Sequence, residues 1–238
     1  MSDYDILTDL LSARFSCRGF RPDPIPEDLI RQIVTAAGRA PSWCNAQPWH
    51  VIVTRGDETE AFRQALMQAA RDETPQPDVP GPEGYTGLHR ERRRTCGWQL
   101  YDAVGVTRDD REGSARQAFE NFRLFGAPHV AILTSGRELG TYGALDCGGF
   151  VMAFCLAAQA LGIATVPQAA IAFQSQAVRR HFVIPDDRLI LCGISFGLAE
   201  ENHPANAFRT GRAPLSEIME LRGRDDDPRG PTPAESET

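Results

Sequence analysis

The chain has 238 residues, 42% of them hydrophobic and 24% charged, and a net charge of −7. That length can bury a core without a metal or disulfide staple, and the acidic balance argues against a nucleic-acid binder, whose affinity would come from neutralising phosphates. All 25 basic residues are arginine, which excludes a Schiff-base or phosphate-loop lysine and leaves any anion to be met by planar, permanently charged forks.

Residues 4–13 read as a short amphipathic helix with Ile6, Leu7, Leu10 and Leu11 along one side. It runs into the compact segment Arg14-Phe15-Ser16-Cys17-Arg18-Gly19-Phe20. Pro22, Pro24 and Pro26 break the chain, and Pro26-Glu27-Asp28 opens a second helix whose Leu29, Ile30, Ile33, Val34 and Ala37 recur at helical spacing before Gly38. Residues 41–47 are polar and turn-like, 49–53 a strand, 58–71 a helix and 74–87 a Pro/Gly-rich loop. Residues 88–125 mix helical stretches with charge and aromatics, and 75–125 is expected to form a cap over a substrate region. Strands follow at 130–134, 163–166 and 189–196, with helices at 142–161 and 174–182. The first of these helices is apolar on most sides, and Gly148-Gly149 at its middle implies close packing against another backbone. Four strands interleaved with helices of varied length give an α+β domain with one central sheet. That domain is expected over 1–222, with 223–238, rich in Asp, Pro, Gly and Glu, a disordered tail.

The six cysteines (Cys17, Cys44, Cys96, Cys147, Cys155, Cys192) form no CxxC pair and follow no secretory leader, which fits a reducing cytoplasm. No apolar run approaches the ~20 residues that span a bilayer, so no membrane association is expected. There is no GxGxxG after a strand, no Walker sequence and no HExxH; there is no GxSxG elbow either, since Gly193-Ile194-Ser195-Phe196-Gly197 has that spacing only along the strand run 189–196, and no metal set is expected. Any cofactor must be held by another device. Arg14, Ser16 and Arg18 place two guanidinia and a hydroxyl in one short segment, and Arg209 and Arg212 place two more near the far end. Forked donors of this kind suit a nucleotide phosphate, and equally suit surface ion pairs. The run Ala40-Pro41-Ser42-Trp43-Cys44-Asn45-Ala46-Gln47-Pro48-Trp49 is dense in amides, which suit the edge of a pyrimidine-like ring or serve a local turn. Arg90, Arg92, Arg93 and Arg94 would attract an acidic substrate or the extra phosphate of NADPH, or simply form a solvated helix face. Tyr85, Trp98, Tyr101, Phe122 and Phe125 either line the cap or belong to the core.

Taken in order, Arg-x-Ser-x-Arg-x-Phe from Arg14, Ala-Pro-Ser-x-x-Asn-x-Gln-Pro-Trp from Ala40 and Arg-x-Pro-Leu-x-Glu-Ile from Arg212 resemble the nitroreductase family of flavoenzymes. Gly148-Gly149, Leu161-Gly162 and Val166-Pro167 fall between them as in that family, so the resemblance runs from Arg14 to Met219. It implies a nitroreductase-like three-layer α+β fold, a mostly antiparallel sheet flanked by helices, and a homodimer with FMN at its interface. Arg14, Phe15, Ser16 and Arg18 would hold the phosphate, ribityl chain and N1/O2 side of the ring. Pro41, Ser42 and Trp43 would come from the partner subunit, with Asn45 and Gln47 shaping the same loop. The backbone of Pro167, Gln168, Ala169 and Ala170 would face flavin N5 and O4, and Arg212 would bind phosphate with Arg209 as a helper. The chain departs from the family where Ala169-Ala170 replace a frequent acidic residue and glycine, where Phe15 replaces a frequent arginine, and where Trp43 is bulky. The implied activity passes hydride from NAD(P)H through flavin N5 to a small organic acceptor, foremost a nitroaromatic reduced to the hydroxylamine by a ping-pong cycle, with no catalytic side chain. Reductive dehalogenation, ene reduction and flavin cleavage on the same fold, a non-catalytic FMN-binding protein, and a cofactor-free helical interaction module are the alternatives.

Overall fold

The computed structural model describes residues 1–222, so the tail expected at 223–238 lies outside the described residues. The chain divides into a large unit, Met1–Phe208, and a small one that begins at Arg209.

In the large unit four strands, β1 (Trp49–Val53), β2 (His129–Gly136), β3 (Ala164–Gln168) and β4 (Arg188–Gly197), form one sheet in the order β1-β2-β4-β3. Each neighbouring pair is antiparallel. The described residues form eight α-helices: α1 (Asp3–Ala13), α2 (Glu27–Ala37), α3 (Asp57–Asp72), α4 (Gly87–Ala103), α5 (Arg111–Phe119), α6 (Gly140–Ala160), α7 (Ala169–Phe173) and α8 (Ser175–Phe182).

Side chains alternate across a strand, and β2 is buried along its whole length, so it feeds two cores at once. Val130 and Ile132 join Phe62 and Leu66 of α3, Ile171 of α7 and Val178 of α8. Ala131 and Leu133 join Ile33 of α2 with Phe150 and Phe154 of α6. Helices therefore cover both faces, which is the three-layer α+β arrangement expected from the sequence.

Local chemistry sets the helix ends. At α1 the Asp5 N–H donates to Ser2 Oγ at 3.1 Å and the Ser2 N–H donates to Asp5 Oδ2 at 2.7 Å, a reciprocal capping box. Pro26 sits at the N-cap of α2, one residue earlier than the first-turn position suggested by the sequence. The loop expected at 74–87 has no helix or strand up to residue 86, where α4 takes over at Gly87, and it is anchored, because Asp78 Oδ2 accepts from Arg179 Nη2 at 2.6 Å and from the Ile190 N–H at 2.8 Å.

Three expectations change. The apolar stripe of α1 meets no core: the helix has no buried residue, and Ile6, Leu7 and Leu11 are 42%, 46% and 41% exposed. Gly148 has no atom within 4 Å of the point where a Cβ would sit, and Gly149 meets only Ala40 Cβ at 3.9 Å, so neither makes the expected backbone contact within this chain. The helical stretch Arg137–Ala160 contains an 18-residue window of mean hydropathy 1.4, enough by length and composition to cross a membrane, where no such run was expected. Cys147, Phe150, Phe154 and Ala158 of that stretch pack in the core against the sheet, while Tyr142, Leu145 and Met152 are exposed.

Candidate functional site

Segment 14–20 leaves α1 with Arg14 extended at the C-cap and runs along the free edge of β3. Ser16 bridges Thr165 in parallel, and the Cys17 N–H donates to Thr165 O at 3.0 Å. An extended segment presents alternate residues to opposite sides. Phe15 and Cys17 pack into the core, whereas Arg14, Ser16 and Arg18 remain half-buried. The spacing of two in Arg-x-Ser-x-Arg is thus a sheet-edge pattern, and Phe15 serves the segment as an anchor.

The far end of the segment is tied by Asn206, which sequence reasoning missed. Its Oδ1 accepts the Arg18 N–H at 2.7 Å, and its Nδ2 donates to Gly19 O at 2.8 Å and Glu200 O at 2.9 Å. A side chain 188 positions away carries no local signal in Arg-x-Ser-x-Arg. Arg18 donates from Nη1 to Ser16 O at 3.2 Å. Burial pulls the Arg18 pKa down, opposed by the nearby Cys96 and Cys17 thiols. A cation held partly out of water gains by meeting an anion or a hydrogen-bond acceptor.

β3 delivers the second predicted group to the same sheet edge. Pro167 is exposed on that edge strand, where its missing N–H breaks no ladder bond. Gln168 is 3% exposed and turns its side chain inward: Oε1 accepts from Ser195 Oγ at 2.5 Å, and Nε2 donates to Asn121 O at 2.8 Å and Oδ1 at 3.3 Å. Its amide is a structural clamp, and what this stretch offers outward is the backbone around exposed Ala169 and half-buried Ala170.

The 41–47 loop is not brought to that cluster within the chain. It precedes β1, at the opposite edge of the sheet, about three strand spacings or ~14 Å away. It rests on α6, where the Trp43 N–H donates to Asp146 Oδ2 at 3.0 Å and the Trp43 ring meets Tyr142 edge-on at 4.3 Å. Ser42 Oγ accepts the Gln47 N–H at 2.9 Å. Cys44, Asn45 and Gln47 all have φ near +50°, with values of 50, 57 and 47°. Left-handed backbone at three non-glycine residues in one exposed loop is costly, and such strain concentrates at binding sites. Pro41, Trp43, Asn45 and Gln47 are all exposed.

Arg209 and Arg212 belong to the small unit. There the Arg212 guanidinium is exposed and donates from Nη1 to Thr210 O, Thr210 Oγ1 and Gly211 O at 3.1, 2.9 and 3.0 Å. Of the aromatics that the sequence assigned either to a cap or to the core, Phe125 is core and Phe122 packs against it, Trp98 and Tyr101 are half-buried, and Tyr85 is exposed. A cavity of about 500 Å³ opens beside Arg18, lined also by Val106, Asp110, Gln117, Phe125 and His203.

The model of the nitroreductase family matches residues 11–198, which takes in the sheet, segment 14–20, the 41–47 loop and the 167–170 stretch. The chain belongs to the nitroreductase family. Among its relatives is the nitroreductase NfnB of Mycolicibacterium smegmatis, 39% identical over 209 residues that cover 87% of this chain and 89% of that protein. A 4-nitrobenzoate reductase of Pseudomonas putida is 32% identical over 92% of this chain and 99% of its own length. The crystal structure of the FMN-dependent NfnB of Mycobacterium smegmatis with NADPH superposes with a TM-score of 0.89 at 36% identity, covering 93% of this chain and all of that one. The family match ends at Leu198, so the late arginines of this nitroreductase lie beyond it.

Proposed function

We propose that this nitroreductase is an NAD(P)H-dependent FMN oxidoreductase that reduces small nitroaromatics to hydroxylamines and works as a homodimer. The carrying observation is the split of the predicted residues. Arg14, Ser16 and Arg18 lie beside the 167–170 backbone at one sheet edge, while the polar, strained 41–47 loop stands at the other. A second copy of the chain can supply the missing loop. The surface suits such pairing: Leu7 and Leu11 of α1, Trp43, and Tyr142, Leu145 and Met152 of α6 leave apolar area in water that a partner would cover.

The residues present fit FMN. Arg14 and Ser16 would hold its phosphate and ribityl chain. Arg18, already desolvated, would stabilise negative charge at the pyrimidine edge better than an exposed cation could. The 169–170 backbone, without the acidic side chain frequent in the family, would contribute only peptide groups. Phe15 keeps its place through packing and would offer only its backbone. Arg212, with Arg209 as a helper, enters as a phosphate ligand on sequence order alone. Pro41, Ser42 and Trp43 would reach the site from the partner, with Asn45 and Gln47 holding that loop's shape, and the bulk of Trp43 would narrow the pocket. Bound FMN would supply the hydride-transfer chemistry that the side chains lack, between NAD(P)H and the acceptor. Nitro compounds are the acceptor class because the relatives include nitroreductases and a 4-nitrobenzoate reductase. All six cysteines are free, which suits a soluble protein of the reducing cytoplasm.

The deciding experiment is a visible absorbance spectrum of the purified protein, before and after anaerobic NADH or NADPH, followed by a nitroaromatic. A flavin spectrum that bleaches and returns with the acceptor is the expected result. A protein that takes up no FMN when it is added would overturn the proposal.

A further inference from the structure

One face of α4 has no role in the proposal above, which this inference deepens and rests upon. Residues three, four and seven apart share a helix face, and in α4 that relation joins His89, Arg92, Arg93 and Cys96. Cys96 is half-buried and lies within electrostatic reach of the Arg18 guanidinium. Independently, α4 packs on the Pro204–Asn206 turn, and Asn206 is the residue that holds the Arg18 N–H at 2.7 Å. The stripe therefore starts opposite Arg18 and extends toward the helix N-terminus. At 1.5 Å per residue, Arg92 and Arg93 stand about 5–6 Å, and His89 about 10 Å, along the axis from Cys96. The two acidic residues of α4, Glu91 and Asp102, fall on the opposite side of the helix, so α4 itself places no carboxylate among these four residues. Beside it Tyr85 is 46% exposed, with the Arg93 guanidinium 5.4 Å from its ring centroid.

An exposed aromatic ring flanked by forked cations has the chemistry of a nucleotide end, in which a base stacks and a phosphate monoester takes the guanidinium bonds. We infer that the Tyr85–Arg92–Arg93 face of α4 binds the 2′-phosphoadenosine end of NADPH, so that this nitroreductase distinguishes NADPH from NADH. The nicotinamide end would lie toward Arg18, and the adenosine end would run along the helix toward its N-terminus. A dianionic phosphate is a better match than a single carboxylate, since two adjacent forks offer more donors than one carboxylate can accept.

The test uses the FMN-loaded enzyme, its double variant Arg92→Gln/Arg93→Gln, and a control, Arg94→Gln, whose position points away from the stripe. In wild type, kcat/KM for NADPH should exceed that for NADH by about tenfold or more, the size of a charge-assisted contact. By titration calorimetry, adenosine 2′,5′-bisphosphate should bind tighter than 5′-AMP by a similar factor. Both ratios should fall to near one in Arg92→Gln/Arg93→Gln and hold in the control. A wild type with no preference, or a double variant that keeps it, overturns the inference. So does a double variant whose NADPH preference survives while turnover of 4-nitrobenzoate, relative to nitrobenzene, collapses; that outcome would give the face to the substrate carboxylate. If neither nucleotide bleaches the flavin, the flavoenzyme reading falls instead, and the calorimetric comparison still decides the phosphate site.

Discussion

Gly19 shows how tightly segment 14–20 is seated. A Cβ there would come within 2.2 Å of His203 Cγ and 2.6 Å of His203 Cβ, atoms too close to their own backbone to swing aside. Gly19→Ala is therefore expected to lower stability by about 1–3 kcal/mol through overpacking and to shift Asn206, with weaker FMN retention as a consequence. A thermal melt of the variant that matched wild type, with flavin content unchanged, would contradict this. His129 gives a pH-dependent counterpart. The buried ring accepts the Ile25 N–H at Nε2 and donates from Nδ1 to Thr54 O, both at 3.0 Å, so it is held neutral. Desolvation, with Arg55 assisting, pulls its pKa down against the opposing bond to Thr54. The unfolded chain then binds more protons than the native one below about pH 6.5, so stability is full above that pH and is lost as the pH falls toward the folded pKa. Urea midpoints measured at about pH 7.5 and pH 5.5 should drop in wild type and drop less in His129→Gln; equal drops would remove His129 as the cause.

Among the elements, α1 and α6 carry the sharpest contrast between pattern and burial. Both have clear apolar faces, yet Leu7, Leu11, Tyr142 and Leu145 stay in water within the single chain. Leu145, at 67% exposure, contributes almost nothing to the fold of its own chain. Leu145→Arg should thus leave the thermal stability of an isolated chain little changed, but shift the protein toward monomer and reduce bound FMN. Light scattering and the ratio of flavin to protein absorbance would measure both, and a flavin-replete dimer in that variant would move the interface elsewhere. The Gln168 clamp has the opposite character. It joins β3 to β4 through Ser195 and to the segment after α5 through Asn121, and it belongs wholly to the chain's interior.

At the scale of the whole molecule, Arg209 and Arg212 fall in the small unit that begins at Arg209, apart from the other predicted site residues, all of which belong to the large one. The family match ends before the small unit, and the Arg212 guanidinium donates only within that unit among its described bonds. If Arg212 is a phosphate ligand, Arg212→Ala should lose most of its FMN on gel filtration while riboflavin, which has no phosphate, binds as in wild type. Retention of FMN equal to wild type would remove Arg212 from the site.

Much was legible in the amino-acid order because its physical causes are local. Helix α2 follows from five apolar residues at helical spacing behind Pro26, and β2 from an uninterrupted apolar run at 130–133. The Arg14, Ser16 and Arg18 device was readable as three polar groups in one segment. The sequence by itself therefore determined the four strands, five of the helices, the α+β class and, through three motifs in order, the family, but not α7 or the bounds of α4 and α5. Only the tertiary structure decided that Arg-x-Ser-x-Arg is a sheet-edge pattern with Phe15 inward, that the Gln168 side chain is engaged by Ser195 and Asn121, and that Asn206 pins segment 14–20 from 188 positions away. It also placed the 41–47 loop beyond the reach of its own chain's cluster. The reason is that periodicity tells which side of an element is apolar, whereas what covers that side depends on chain segments that meet only after folding.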